Sequence, residues 1–130
     1  MNYALLFLGL LVIHYVADFI LQTHWQASNK SKNNEALTRH VLTYSLGFLV
    51  GLPALTTWTI GLVPSSLLVL FVIATFATHW VTDYVTSRCS SYFYGKQDWH
   101  NFFVVIGLDQ LIHQATLFLT MYCLFVPKGL

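Results

Sequence analysis

Residues 3–22 read YALLFLGLLVIHYVADFILQ, an apolar stretch long enough to cross a bilayer that also contains His14 and Asp18. A second apolar stretch has the same spacing: residues 79–85 read HWVTDYV, with His79 and Asp83. On a helix, side chains four residues apart lie on one face. A central aspartate in a membrane helix costs about 2.5–3.5 kcal/mol on insertion scales. A His-x3-Asp pair that occurs twice at this cost indicates a functional role.

The composition predicts an all-α integral membrane protein with four transmembrane helices. Of the 130 residues, 56% are hydrophobic and only 8% are charged, compared with about 25% charged residues in soluble domains. Apolar segments predict spans at residues 3–22, 37–60, 64–87 and 101–126. Polar loops are predicted at residues 24–35 and 88–99, the second with an aromatic, glycine-hinged stretch at 92–95. The loops are too short to fold alone, so residues 1–130 form a single transmembrane domain.

The basic residues predict the orientation of the spans. Five of the six basic residues lie in or beside the first and third connections between spans: Lys30, Lys32, Arg39, Arg88 and Lys96. The sixth, Lys128, follows the last span and lies on the other side of the membrane. The positive-inside rule then places both polar loops in the cytoplasm and both termini outside it. The net charge is +1 and no basic run occurs, so a nucleic-acid partner is not expected.

The two halves of the chain resemble each other, which predicts two parallel repeated helical hairpins. The His-x3-Asp pairs lie 65 residues apart, and each half continues with a histidine early in its next helix, His40 and His113. We therefore divide the chain into pseudo-repeats at about residues 1–65 and 66–130. Sites in such folds tend to lie at the repeat interface. Asp109 precedes His113 by four residues and has no counterpart in the first half.

The second predicted helix also carries a G-x-x-x-G motif, formed by Gly47 and Gly51. This motif favours close packing of two membrane helices. Glycine is also common in membrane helices in general, so the motif alone leaves both interpretations open.

Seven residues of the helices are candidate metal ligands: His14, Asp18, His40, His79, Asp83, Asp109 and His113. Counted along the helices, they all lie in the cytoplasmic half of the membrane. Imidazoles and carboxylates without a thiolate form a ligand set that zinc, manganese and ferrous iron accept. We expect one or two divalent transition-metal ions, with zinc as the first choice.

Such a site suits hydrolysis, with Asp18, Asp83 and Asp109 as candidate catalytic carboxylates. Two ions would activate a water molecule and stabilise the charge that develops on a phosphoester. A single zinc ion with three protein ligands is the simpler version, in which some aspartates orient the histidines. Alternatively, each Asp–His pair neutralises itself and binds nothing. Three such pairs at one membrane depth favour the metal site.

The motifs resemble those of a family of small bacterial and phage membrane proteins of unknown function. They are His14-x3-Asp18-Phe19-x-Leu21-Gln22, His40, His79-x3-Asp83-Tyr84 and Asp109-Gln110-x2-His113. This resemblance covers nearly the whole chain and implies a multi-pass protein of the bacterial inner membrane. The chain is more distantly similar to membrane-bound metal-dependent hydrolases with His-Asp motifs in hydrophobic helices. That similarity implies hydrolysis by analogy and supplies no substrate.

The leading hypothesis is a membrane-embedded, metal-dependent hydrolase. Its substrate would be amphiphilic or lipid-linked, such as a lipid phosphoester, and would be reached from the cytoplasmic side, with membrane lipids as the surrounding partners. A metal-ion or proton transporter is the first alternative, because intramembrane Asp and His residues also mark ion pathways. A non-enzymatic, holin-like phage membrane protein is the second.

Overall fold

The computed structural model describes residues 1–127, so Lys128, which enters the charge argument above, lies outside the described residues. The described chain is all-helical. Its elements are α1 (Tyr3–Tyr15), a π-helical turn (Val16–Ile20), α2 (His24–Asn29), α3 (Asn34–Thr59), α4 (Ser65–Gly95) and α5 (Trp99–Phe125). Four helical stretches are long and apolar enough to cross a membrane. The first consists of α1 and the π turn, and the other three are α3, α4 and α5. The predicted all-α fold with four candidate spans is confirmed.

The first span ends in a wide turn that carries Asp18. At its start, the Asn2 side chain accepts a hydrogen bond from the Leu5 N–H and so caps α1. At its end, the Leu21 N–H bonds to the Val16 carbonyl five residues back, at 2.9 Å. Such π turns are rare and are frequent at functional sites. This turn was not predicted, and it sets the direction in which Asp18 projects.

The predicted loop at residues 24–35 contains the short helix α2 and the first two residues of α3, so the prediction is wrong for residues 24–29, 34 and 35. The reason is a capping box. The Gln26 N–H donates to Thr23 Oγ1, and the Thr23 N–H donates to Gln26 Oε1, which satisfies two backbone donors at the helix start. Lys30 follows directly as the residue that ends α2. The helix therefore fixes the place from which the Lys30 side chain extends.

The predicted loop at residues 88–99 is wrong for residues 88–95, which continue α4 without a break. The chain reverses within residues 96–98, where Gln97 takes a left-handed conformation with φ 57°. The Gln97 N–H bonds to the Tyr94 carbonyl and the Asp98 N–H to the Phe93 carbonyl, both at 3.0 Å. These bonds form a Schellman-type helix end. Gly95 is thus the last residue of a helix and not a hinge.

The G-x-x-x-G motif lies where α3 packs against the first span. A Cβ atom placed on Gly47 would lie 2.9 Å from the Ala17 Cβ, and one on Gly51 would lie 2.9 Å from the Ile13 Cδ1. Real Cβ contacts are longer. The close approach therefore requires glycine at Gly47, whose neighbour is the rigid Cβ of Ala17, whereas the end of the Ile13 side chain could move away from a residue at position 51. Close packing, the functional interpretation of this motif, is confirmed.

The four long helices form a closed ring around one core. In that ring, α1 contacts α3 and α5, while α4 contacts α3 and α5. The centre is filled by fully buried apolar side chains, among them Leu6, Leu10, Phe48, Leu52, Phe71 and Leu117. Beyond Tyr44, toward the α2 end of the bundle, the buried side chains become ionisable. This change from apolar to ionisable core positions the candidate site.

Candidate metal centre

The bundle buries six of the seven predicted site residues in one cluster. The exposed fraction is 3% or less for His14, Asp18, His40, His79, Asp83 and His113. The seventh, Asp109, borders the cluster with 18% of its side chain exposed. Burial of so many ionisable groups is costly unless they are paired or bind a metal. Their mutual distances show which role the geometry allows.

Four atoms from three helical segments converge at the centre of the cluster. They belong to Asp18 in the π turn, His40 of α3, and His79 and Asp83 of α4. The Nε2 atom of His40 lies 3.0 Å from Asp18 Oδ1, 3.3 Å from Asp83 Oδ2 and 3.2 Å from the Nε2 atom of His79. The Nε2 atom of His79 lies 3.5 Å from Asp18 Oδ1 and 3.7 Å from Asp83 Oδ2. The cluster thus offers two nitrogen and two oxygen atoms at one point.

These distances fit a tetrahedral ion. Metal–ligand bonds of 2.0–2.2 Å imply about 3.3–3.6 Å between any two ligand atoms of a tetrahedral zinc site. The five separations above run from 3.0 to 3.7 Å. The N2O2 donor set is also one that divalent transition metals accept. The group of Asp18, His40, His79 and Asp83 could therefore hold a metal ion.

A buried oxygen at the same point lacks a hydrogen bond. Asp18 Oδ1 is inaccessible and has no aligned donor among the described residues, although His40 Nε2 is 3.0 Å away. The Nδ1 atoms of His40 and His79 are also without partners there. Metal-binding histidines usually donate this second N–H to a neighbour, so the outer shell of the site departs from the common pattern. The donor atoms themselves fit an ion.

Asp83 also belongs to a second group of potential ligands, with Asp109 and His113. Its Oδ1 atom lies 3.5 Å from His113 Nε2, while its Oδ2 atom faces the first group. The His113 Nδ1 donates to the Asp109 carbonyl at 2.8 Å, which fixes the ring and leaves Nε2 without a partner. The Asp83 carboxylate is therefore placed to bridge two ion positions.

His14 lies beside the four converging atoms and not among them. Its Nδ1 contacts the Tyr44 hydroxyl and its Nε2 contacts Gln110 Oε1, both at 3.2 Å. The predicted partner Asp18 is farther away, with Oδ2 at 3.8 Å from Nε2. Both ring nitrogens are thus engaged with neutral groups. A ligand role for His14 stays a prediction, and it requires the Gln110 contact to break.

Asp109 forms part of the wall of a cavity beside the cluster. Its Oδ1 accepts a 2.5 Å hydrogen bond from Thr86, and its Oδ2 accepts one from Gln110 at 3.0 Å. The cavity has a volume of about 240 Å³. Its lining consists of Asp18, Phe19, Gln22, Ala27, Lys30, Asp83, Thr86, Ser87, Ser90, Val105, Ile106, Asp109 and Gln110. A cavity therefore adjoins the converging ligands.

Lys30 enters the site from the end of α2, although its place in the sequence indicates only a positive charge in a loop. Its Nζ donates to Asp83 Oδ2 at 2.7 Å and lies 3.4 Å from His40 Nε2. Burial alone would lower the pKa of Lys30, but the carboxylates of Asp83 and Asp18 outweigh that effect and raise it. The residue is thus a partly buried cation in contact with candidate metal ligands. No spacing rule in the sequence points to it.

Two further histidines do not join the cluster. His24 is the first residue of α2 and His100 lies in the first turn of α5, and both are exposed. Sequence reasoning also overlooked Tyr44 and Thr86. Tyr44 lies four residues after His40, and Thr86 lies three residues after Asp83. Their helical spacing could have identified both, since residues three and four apart share a face.

The comparisons with known proteins give one match. The model of a family described as "Protein of unknown function (DUF3307)" matches residues 6–129. No curated protein and no solved structure matches the chain. The expectation of an uncharacterised family is confirmed, and the more distant similarity to hydrolases stays an expectation. Since the match covers nearly the whole sequence, the chain belongs to the DUF3307 family of proteins of unknown function.

Proposed function

We propose that the protein is a membrane-embedded, metal-dependent hydrolase that acts on an amphiphilic, lipid-linked phosphoester from the cytoplasmic side. One observation carries the proposal: four buried donor atoms converge, with five of their six separations at 3.0–3.7 Å and all of the ligand atoms within 4.8 Å of one another. One of them, Asp18 Oδ1, is a carboxylate oxygen without a hydrogen bond among the described residues. A divalent cation at this point would satisfy that oxygen.

The formal charge of the site supports a divalent ion. The site has a formal charge of −2 when the imidazoles are neutral. Its three carboxylates belong to Asp18, Asp83 and Asp109, and its one ammonium group belongs to Lys30. Neutral imidazole is the form that binds metals. One divalent ion brings the sum to zero, which lowers the cost of burying the group.

The donor set favours zinc, manganese or ferrous iron. All three accept imidazole and carboxylate ligands. Asp83 is placed to bridge to a second ion at His113 and Asp109. We therefore propose one ion at the four converging atoms, which leaves Asp109 uncoordinated. The group that Asp83 shares is the position that a second ion would take in a two-ion form of the site.

Hydrolysis follows from what adjoins these ligands. A bound divalent ion supplies a Lewis acid and lowers the pKa of a coordinated water molecule. Asp109 faces the cavity and is the most exposed of the three carboxylates, so it is the proposed proton acceptor. The water oxygen bonds to phosphorus, one water proton passes to Asp109, and the ester P–O bond breaks. Asp109 then passes that proton to the departing alcohol oxygen, so ester and water yield a phosphate and an alcohol, and Asp109 returns to its ionised form.

The placement in a bilayer is part of the proposal. The four long helices would cross the membrane as two parallel hairpins with the α1–α3 and α4–α5 connections in the cytoplasm. Asp83 lies 12 residues before the end of α4, so α4 continues about 18 Å beyond the cluster. This continuation, with the first turns of α5, would project into the cytoplasmic interface. The site would then lie in the cytoplasmic leaflet.

The apolar core argues against the transporter alternative. A transport path needs polar groups that continue from the cluster toward the other side. Instead, Phe48, Phe71 and Leu117 fill the centre and are fully buried. The buried hydroxyl of Thr75 donates to a carbonyl of its own helix. The described residues thus supply no continuous polar path.

Metal content tests the proposal. Wild-type protein, purified in detergent and incubated with zinc, manganese or ferrous iron, should contain one to two ions per chain by elemental analysis. The Asp83→Asn variant should retain less than about a tenth of this metal, because it weakens both ligand groups. Glu35→Gln is the matched control, since Glu35 is 61% exposed and bonds only to Arg39. Wild-type protein that binds none of the three metals stoichiometrically would refute the proposal and favour the holin-like alternative.

A further inference from the structure

We propose that the 240 Å³ cavity beside the cluster binds the phosphoryl head of a membrane lipid, with Lys30 and Ser87 as the groups that contact its oxygens. This inference rests on the proposed function and specifies the substrate class of that site. The lipid would reach the cavity sideways from the bilayer, between the first span and α5.

Some polar atoms of the residues that line the cavity form no hydrogen bond, so a ligand could bind them without displacing another partner. Lys30 is the one basic residue among those that line it. Ser87 and Gln22 line the cavity, and their Oγ and Oε1 atoms are inaccessible to solvent and form no hydrogen bond with the described residues. Each side chain would rotate toward the cavity to meet a ligand. Unsatisfied buried polar atoms are rare and need an explanation. A phosphoryl group would accept hydrogen bonds from Lys30 and Ser87, and a protonated phosphoryl oxygen would donate to Gln22.

Metal binding makes Lys30 available for this role. Its ammonium now lies 2.7 Å from Asp83 Oδ2. A divalent ion bound about 2 Å from the same oxygen would repel the ammonium at short range. Because Lys30 already lines the cavity, it can turn from Asp83 into that space. In the cavity, the positive charge of its ammonium group can bind a negatively charged phosphate group.

The other side of the cavity is apolar and open to the outer surface. Phe19 and Ile106 line it, yet they are 45% and 38% exposed on the outside of the bundle. The contact between α1 and α5 is also the least extensive between neighbouring long helices. This seam would lead lipid chains past apolar side chains to the polar cluster.

The volume of the cavity is sufficient for a lipid headgroup and too small for a whole lipid. Pockets for drug-sized ligands have volumes of about 300–1,000 Å³, whereas this one has about 240 Å³. It can therefore enclose a phosphoryl group and its ester linkage but not acyl chains. The chains must remain in the bilayer, as the lateral seam would allow.

Calorimetric titration of the metal-loaded protein in detergent micelles tests the inference. The ligand is a short-chain phosphonate analogue of phosphatidate, whose P–C bond resists hydrolysis. The matching diacylglycerol lacks the phosphoryl group, and methylphosphonate lacks the chains. We expect the phosphonate lipid to bind at least about tenfold more tightly than either, because a charge-assisted hydrogen bond and the apolar seam both contribute.

Variants assign the contacts. Lys30→Met should weaken binding of the phosphonate lipid about tenfold and leave diacylglycerol binding unchanged. Lys32→Met is the matched control, because Lys32 is exposed in the same connection and does not line the cavity. Ser87→Ala should weaken binding about threefold. It leaves the Lys30–Asp83 pair intact, so it tests the cavity even where Lys30→Met perturbs folding.

Equal affinities of wild type, Lys30→Met and Ser87→Ala for the phosphonate lipid would overturn the inference. Methylphosphonate binding as tight as that of the lipid would overturn the membrane source of the ligand. Elemental analysis of the same samples separates the two proposals. If the protein contains metal but neither Lys30→Met nor Ser87→Ala changes the affinity for the phosphonate lipid, the headgroup site is refuted and the hydrolase proposal is not. Variant-sensitive lipid binding by protein that binds no metal refutes the hydrolase alone.

Discussion

Asp83 contacts four groups of the site, Lys30, His40, His79 and His113, and its two oxygens face different partners. Oδ2 accepts from Lys30 and lies near His40, while Oδ1 faces His113. A buried charge that loses such partners costs about 3–5 kcal/mol. Lys30 therefore compensates Asp83 when no ion is bound. The chain can fold with the carboxylates already gathered at the site.

Tyr44 closes the cluster against the apolar core. Its hydroxyl lies 3.2 Å from His14 Nδ1, and its ring stacks on His79 with a centroid distance of 3.9 Å. Tyr44→Phe keeps the stacking and leaves His14 Nδ1 buried without this partner. We expect the free energy of unfolding to fall by about 1–3 kcal/mol, measured by denaturant titration in detergent micelles.

The control for this substitution is Tyr122→Phe, because Tyr122 is 53% exposed on the outside of the bundle. It should change the free energy of unfolding by less than about 0.5 kcal/mol. Metal affinity of Tyr44→Phe should stay near that of the wild type, since Tyr44 supplies none of the four converging atoms. Lost metal affinity with unchanged stability would contradict this assignment of Tyr44.

Helical spacing predicted which residues gather but not which of them pair. The four-residue spacing of His14 and Asp18 suggested a pair, yet the nearest imidazole to Asp18 is that of His40 on another helix. The π turn causes this difference, because it changes the direction of Asp18 relative to an α-helix. Lys30 could not be predicted at all. Its role depends on where α2 ends in space, and periodicity carries no information about that.

At Gly47, α3 packs closely against Ala17 in the π turn of the first span, and Gly107 on α5 offers a matched comparison. Gly47→Ala would place a Cβ 2.9 Å from the Ala17 Cβ and separate the helices. Overpacking of this kind costs about 1–3 kcal/mol. Gly107→Ala on α5 meets no atom within 4 Å and should stabilise the helix by about 0.5–1 kcal/mol.

Thermal unfolding of both variants in the same detergent measures the two effects. The midpoints should move in opposite directions, down for Gly47→Ala and up for Gly107→Ala. A fall of similar size in both would show that helical glycine is required for a reason other than the α1–α3 contact.

The existence of the long helices was predictable, and their ends were less so. The aromatic residues and Gly95 suggested a loop, but the helix continues because Gln97 provides the left-handed turn residue. Glycine is the usual left-handed residue after a helix end. Gly95 therefore suggested a helix end before position 95, whereas the left-handed residue is Gln97. The signal for α2 was present in Thr23 and Gln26, a capping pair three residues apart.

For the whole molecule, the two cysteines report the proposed orientation without any engineered residue. Cys89 lies in the part of α4 beyond the cluster, and Cys123 lies near the end of α5; both are exposed. A membrane-impermeant maleimide should label Cys89 in inside-out vesicles and leave it unlabelled in right-side-out vesicles. Cys123 should remain unlabelled in both, because it faces the lipid.

Single-cysteine variants, Cys89→Ser and Cys123→Ser, identify the labelled residue by mass spectrometry. Labelling of Cys89 from the outside would reverse the orientation and place the site in the outer leaflet. The metal centre would survive that result. Hydrolysis at the cytoplasmic side would not.

The π turn at residues 16–20 bears on which ions the centre accepts. A π turn holds about one residue more than an α-turn, and returning to α geometry rotates the following residues by about 100°. Asp18 lies in this adjustable segment, whereas Asp83 lies in an unbroken helix. One carboxylate is therefore a movable ligand and the other a fixed one. We expect the radius of the preferred ion to be set by the end of the first span, where a small rotation changes a metal–oxygen distance.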